Sequence, residues 1–84
     1  MRPDVSVIIP MHNAGATIER LVGSLLAIDS VDVEVVVVDD ASTDGSPELV
    51  ASLARDEVVL ERFTTNHGAG IARNRGFEVA TGRY

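Results

Sequence analysis

The amino-acid sequence predicts an α/β fold, an open, doubly wound parallel sheet in the order β-α-β-α-β-α. Three observations carry this. Three short segments rich in β-branched residues are bounded by turn formers, and two of them are almost continuously apolar. The gaps between them carry apolar residues at helical spacing. The two kinds of segment alternate, which implies parallel strands joined by right-handed crossovers.

The first strand is Val5-Ser6-Val7-Ile8-Ile9, stopped by Pro10. The helix that follows shows an apolar stripe of Ile18, Leu21, Val22, Leu25 and Leu26, with Asn13 as its expected N-cap. The second strand runs from Val33 to Val38 and ends at Asp39-Asp40. Ser46 as cap, Pro47 at the first helical position and Glu48 near the positive end announce the second helix, which should bury Leu49, Val50 and Leu53. The third strand, Val58 to Phe63, carries Glu61 and Arg62 and has the look of an edge. The third helix spans about Ala69 to Ala80, with Ala72, Gly76, Val79 and Ala80 inward and Gly82 as a C-terminal stop.

A first strand covered on both faces should be central, with a neighbour on each side. The expected spatial order is 3-2-1, which leaves one flank of that strand bare. Residues 1–84 are therefore expected to be the N-terminal part of a larger domain, incomplete at the C-terminus.

Composition narrows the functional classes. Thirteen acids against seven arginines and no lysine give a net charge of −6, which argues against a nucleic-acid partner. The absence of cysteine excludes disulfides, thiolate metal sites and a thiol nucleophile. The longest wholly apolar run is Val35 to Val38, far short of the ~20 residues of a membrane span. The N-terminus has neither an apolar core nor a cleavage site of a signal peptide. A cytoplasmic location is expected, with a peripheral position at the inner membrane face for a longer parent protein.

In open parallel sheets, ligands bind beyond the carboxyl ends of the strands. Three polar, small-residue loops stand there: Pro10-Met11-His12-Asn13, Asp39 to Gly45, and Thr64 to Gly70. Neither a dinucleotide Gly-x-Gly-x-x-Gly turn nor a P-loop follows the first strand. Gly68-Ala69-Gly70 leads into a helix bearing Arg73 and Arg75, where backbone N–H groups and a guanidinium would suit a phosphate. Asp39 and Asp40 are adjacent in a strand and so point to opposite faces. Either could accept hydrogen bonds from a ribose or a base, or cap the next turn. Asp44 and Ser46 read as turn and cap residues. His12 is either a surface imidazole or a ring against which a base packs.

Four blocks, taken in order, resemble glycosyltransferase family 2. They are Val5 to Asn13, Val36 to Ser46, Gly70-Ile71-Ala72-Arg73-Asn74-Arg75-Gly76, and Ala80 to Tyr84. The resemblance implies an A-type glycosyltransferase fold, whose front half is a Rossmann-like nucleotide-binding unit. It implies a nucleotide-diphosphate sugar as donor, commonly a UDP-, GDP- or dTDP-sugar, and an acceptor that is a glycan, lipid or protein. Pro10, Met11, His12 and Asn13 would lie along the base, with His12 where the family often has an aromatic. Asp40 would bind the base and Asp39 lie near the nucleoside. Gly70, Arg73 and Asn74 would approach the ribose and diphosphate. The family's Asp-x-Asp motif, which holds Mg²⁺ or Mn²⁺, is expected beyond Tyr84, and so are the catalytic base and the acceptor site. No residue of this chain is assigned to catalysis.

Two other classes bear comparison. A non-catalytic nucleotide-binding module could associate with another chain, or with a second copy, through the bare flank of the first strand. A phosphoryl-accepting receiver domain would want acids after the first strand and an aspartate after the third, where Met11-His12 and Thr64-Thr65 stand.

Overall fold

The computed structural model describes residues 3–28, 30–53 and 57–82. Its elements follow in the predicted order: β1 (Val5–Met11), α1 (Gly15–Leu26), β2 (Val33–Asp40), α2 (Ser46–Ser52), β3 (Val58–Phe63) and α3 (Ala69–Val79). The strands are parallel, and their order β1-β2-β3 is the predicted 3-2-1 read from the other edge. The register brings the carboxyl ends level, with Met11 beside Asp39 and Asp39 beside Arg62. Arg83 and Tyr84, which close the fourth motif block, lie outside the described residues, as do residues 54–56 of the turn before β3.

Alternation along β2 divides the core in two. Val35 and Val37 pack with Met11, Ile18, Val22 and Val50 under α1 and α2. Val36 and Val38 pack with Ala72 under α3. All four valines are fully buried, which is why no polar residue interrupts them. Each such side chain contributes roughly 1.5–3 kcal/mol of transfer free energy.

The first strand departs from expectation in two ways. It continues through Pro10 to Met11. Val5 donates its N–H to Asp32 O on the β2 side at 3.1 Å, so the odd-numbered residues bond to β2. Pro10, which has no N–H, faces the other flank and interrupts nothing. Secondly, β1 is only half-buried from Val5 to Pro10, although it contributes to both cores, Ile9 and Met11 to one and Ile8 to the other. It is an outer strand, and among the described residues no strand pairs with its second edge.

The helices show smaller differences. Ile18 and Val22 are buried and Leu25 and Leu26 partly so, but Leu21 is 41% exposed. It lies about 100° round α1 from Val22, at the margin of the stripe. In α3, Ala72 and Gly76 are buried, and Val79 and Ala80 pack against the same cluster. Gly82 is not a helix stop. The helix ends in extended backbone at Ala80 (φ −67°, ψ 143°), and Gly82 instead lies against the start of β1. Its N–H donates to Ser6 Oγ at 2.8 Å, and a Cβ there would stand 2.8 Å from Ser6 N. Among the described residues no helix is long and apolar enough to cross a membrane.

Candidate functional site

The three loops at the carboxyl ends of the strands are joined by hydrogen bonds centred on Asp40. Its side chain, on the α3 face of β2, is 5% exposed. Oδ1 accepts the His67 N–H at 2.7 Å and Oδ2 the Gly68 N–H at 2.9 Å. Its backbone carbonyl lies 2.7 Å from His12 Nδ1. One residue thus ties the end of β1 to the start of α3. The His67 N–H holds the Asp40 carboxyl below its ordinary range. Burial opposes this, while the Gly68 N–H and the charges of His12 and His67 reinforce it. Gly68 is the glycine whose conformation this loop requires. Its φ of 90° with ψ of 159° is essentially closed to residues with a Cβ.

The β1–α1 and β2–α2 loops clasp each other reciprocally. Asn13 Oδ1 accepts N–H from Thr43 at 2.8 Å and from Asp44 at 3.2 Å. In return Ser42 Oγ accepts the Asn13 N–H at 2.8 Å, and Ser46 Oγ accepts those of Ala14 and Gly15, both at 3.0 Å. This corrects two expectations. Asn13 does not cap α1, because it sits in the left-handed region at φ 51° and spends its side chain on the neighbouring loop. Ser46 does not cap its own helix either. It lies inside α2, and its buried hydroxyl covers the amino end of α1 while donating to Asp44. Asp44 also accepts the Ser46 N–H at 2.9 Å. The Ser46 hydroxyl, helped by its N–H, holds the Asp44 carboxyl below its usual range against the opposing effect of burial. Ser46→Ala leaves the N–H groups of Ala14 and Gly15 without their acceptor. It is expected to destabilise the chain by about 1–3 kcal/mol. Denaturant unfolding measures this, and an unchanged midpoint would contradict the shared cap.

Asp39, on the α1–α2 face, is 1% exposed. Its Oδ2 accepts the Ser42 N–H at 3.3 Å and lies 3.9 Å from Arg62 Nε. Its Oδ1 is buried and has no partner among the described residues. It borders a cleft of about 520 Å³ at the top of β2 and β3, lined also by Ala41, Ser42, Thr43, Arg62, Phe63 and Thr64. A second cavity, about 370 Å³, lies at the amino end of the sheet around Leu25, Ile28 and Val31, away from the loops.

The structure thus gathers His12, Asn13, Asp39 and Asp40, the carboxylates facing opposite sides as the alternation predicts. Pro10 stands beside Val38, one residue before the end of the ladder. Met11 is there by backbone only, its side chain lying in the core at 2% exposure. Gly70 is in the first turn of α3, with open space where a Cβ would be. Arg73 is one turn further on and exposed, whereas Asn74 lies about 200° round the helix from buried Ala72, on the solvent side. Sequence reasoning placed Ser42, Thr43, His67 and Gly68 in its candidate loops but gave a role only to Gly68, in the turn Gly68-Ala69-Gly70. The glycine before a helix was the available signal for Gly68. The others act through backbone N–H or a hydroxyl across the sheet, for which a single sequence has no mark.

These residues do not fit a divalent cation. Asp39 and Asp40 diverge, and both Asp40 oxygens already hold backbone N–H donors. Among the described residues no three His, Asp or Glu side chains are grouped to hold a metal.

An open parallel sheet with polar loops knitted at its carboxyl end is the build of a nucleotide-binding α/β unit. The sequence model described as Glycosyl transferase family 2 matches residues 6–84, and the chain belongs to that family. Succinoglycan biosynthesis protein ExoO of Rhizobium meliloti is 45% identical over 82 residues, covering 98% of this chain and 24% of that protein. Glycosyltransferase YibD of Escherichia coli, whose function is uncharacterised, is 40% identical over 95% of this chain and 24% of its own length. Among solved structures, mannosyltransferase PcManGT of Pyrobaculum calidifontis, in complex with GDP-Man and Mn²⁺, superposes with a TM-score of 0.83 at 34% identity. The match covers 96% of this chain and 25% of that one. TarS of S. aureus, residues 1–349, gives 0.82 at 34% identity over 94% and 25%. The chain spans about a quarter of the length of the curated relatives it matches.

Proposed function

We infer that residues 1–84 form the donor-binding N-terminal portion of a glycosyltransferase domain and hold a nucleotide-diphosphate sugar across the three joined loops. The observation that carries this is Asp40, whose side chain and carbonyl draw His12, His67 and Gly68 to one point at the ends of the strands. The His12 ring supplies a flat surface for the base. The hydrogen bond to the Asp40 carbonyl makes Nδ1 the protonated nitrogen, and Nε2 then accepts from Asn13 Nδ2 at 3.3 Å. The amino end of α3 and Arg73 face the diphosphate's charge.

In the complete enzyme, by this reading, a base outside these residues takes the proton of an acceptor hydroxyl. That oxygen bonds to the anomeric carbon as the bond to the nucleoside diphosphate breaks, inverting the centre. The present residues bind and orient the donor. None of the described residues is grouped to hold a divalent ion; where a longer relative supplies ligands for one, it would offer charge to offset the diphosphate.

The test is titration of the purified chain with UDP-glucose and GDP-mannose, with and without Mg²⁺ or Mn²⁺. Binding indifferent to the metal is expected, with no turnover of either sugar nucleotide. Absence of binding to both would end this reading, and measurable transfer by the 84 residues would overturn the assignment of catalysis elsewhere.

The open flank of β1 favours a second reading, a nucleotide-binding module that associates with another copy. Pro10 offers no N–H on this flank and Gly82 lies against Ser6, which shortens the usable edge. Sedimentation of the same sample separates the two, since a dimer supports association and a monomer removes it.

A further inference from the structure

The chain is poor in positive charge where a diphosphate would need it. At the carboxyl end of the sheet Arg62 is shared between Asp39 and Glu48, while on α3 Arg75 is paired with Glu61 and Glu78. Arg73 is the cation left over there among the described residues. Yet both histidines of the sequence stand at this end, His12 bonded through its ring to the Asp40 carbonyl and His67 through its backbone N–H to the Asp40 carboxylate.

Their surroundings differ in a way that decides which accepts a proton. His12 Nε2 faces the amide nitrogen of Asn13. That amide cannot turn over, because its oxygen holds the N–H groups of Thr43 and Asp44. Protonating Nε2 would set two donors against each other. His67 meets no such obstacle. Its Nε2 lies 3.1 Å from Thr65 Oγ1, a hydroxyl that can donate to the neutral ring or accept from the charged one. The ring is steadied by an edge contact with Phe63, centroids 4.8 Å apart. The Asp40 carboxylate lies within electrostatic reach of both rings. Asp39 lies on the other face of the sheet, and Asp44 turns its carboxylate to Ser46. A bound diphosphate would add further negative charge to that of Asp40.

We propose that the site binds its diphosphate-bearing nucleotide together with a proton, carried mainly on His67 and in lesser part on His12. The inference rests on the donor-binding reading above. Imidazole is the side chain that ordinarily changes charge between about pH 5 and 8. Where binding takes up a proton, affinity falls as pH rises, by at most about tenfold per pH unit for each proton.

The experiment is calorimetric titration of the chain with UDP-glucose and GDP-mannose, whose phosphates keep their charge across this range. It is run without divalent metal from about pH 6 to about pH 8.5, in buffers of different ionisation enthalpy. The expected result is proton uptake on binding and an affinity that weakens roughly tenfold across the range, while uridine and guanosine show no pH dependence. His67→Gln should remove most of the dependence and His12→Gln a smaller part. Imidazole resonances of the unsubstituted protein, followed with and without ligand, answer the same question if a variant fails to fold. Affinity that is flat in pH with no proton uptake overturns the proposal and leaves the donor reading standing. PH dependence unaltered in both variants overturns the assignment to the histidines. No binding at any pH overturns both readings.

Discussion

Asp40→Asn is expected to abolish donor binding and to destabilise the fold at neutral pH, with the difference from the unsubstituted protein fading in acid. The aspartate receives two backbone N–H donors, one on each oxygen. Asparagine offers one acceptor and turns an NH₂ donor towards the second N–H, which is left buried and facing another donor. The pH dependence follows from linkage. The His67 N–H, aided by the Gly68 N–H and the two imidazole charges, outweighs burial and depresses the folded-state pKa below the ordinary 3.8. A depressed carboxyl contributes stability that is complete above its unfolded value and is lost as pH falls through the folded value. The two proteins should therefore differ most above the ordinary carboxyl value and converge as pH falls through the depressed folded-state value. Denaturant midpoints followed from neutral pH into acid, with nucleotide titration at pH 7, check both halves. Parallel acid limbs would show that the ionised carboxylate does not hold the α3 loop.

Gly76→Ala carries the second large effect and reverses an ordinary rule. Alanine in place of glycine inside a helix usually stabilises by about 1 kcal/mol. Here the added Cβ would overlap Ile8 Cγ2 and stand 3.2 Å from its Cγ1. Ile8 is β-branched and stiff at χ1, so it cannot swing clear. The substitution is expected to cost about 1–3 kcal/mol net, seen as a drop in Tm of roughly 4–8 °C per kcal/mol for a domain of this size. Ile8→Ala in the same chain should recover much of it, giving non-additivity in the double variant. A stabilising Gly76→Ala would mean that α3 stands off β1, and the topology above would need revision.

The elements were legible because their signals are local. The four valines of β2, the stripe of α1 and the Ala72–Gly76 face of α3 each reflect a period of two or 3.6, and the period follows from the backbone alone. The opposite facing of Asp39 and Asp40 follows from the same pleat. The capping roles were misread for the converse reason. Asn13 and Ser46 stand where a cap belongs in their own segments, and their residue types suit one. The competing partners lie about thirty residues away, on loops that meet only once β1 and β2 are paired in register. Gly82 was misread likewise, because a glycine after a helix suggests a stop until β1 is found beside it.

By itself, then, the amino-acid order decided the strand and helix menu, the face each buries and the end of the sheet where polar loops collect. Only the folded chain decided how those loops clasp, which N–H each side chain satisfies and why both histidines converge on Asp40. Hydrophobic periodicity is written between near neighbours. Hydrogen bonds across a parallel sheet depend on register and on loop conformations such as those of Asn13 and Gly68, and these exist only once the strands lie side by side.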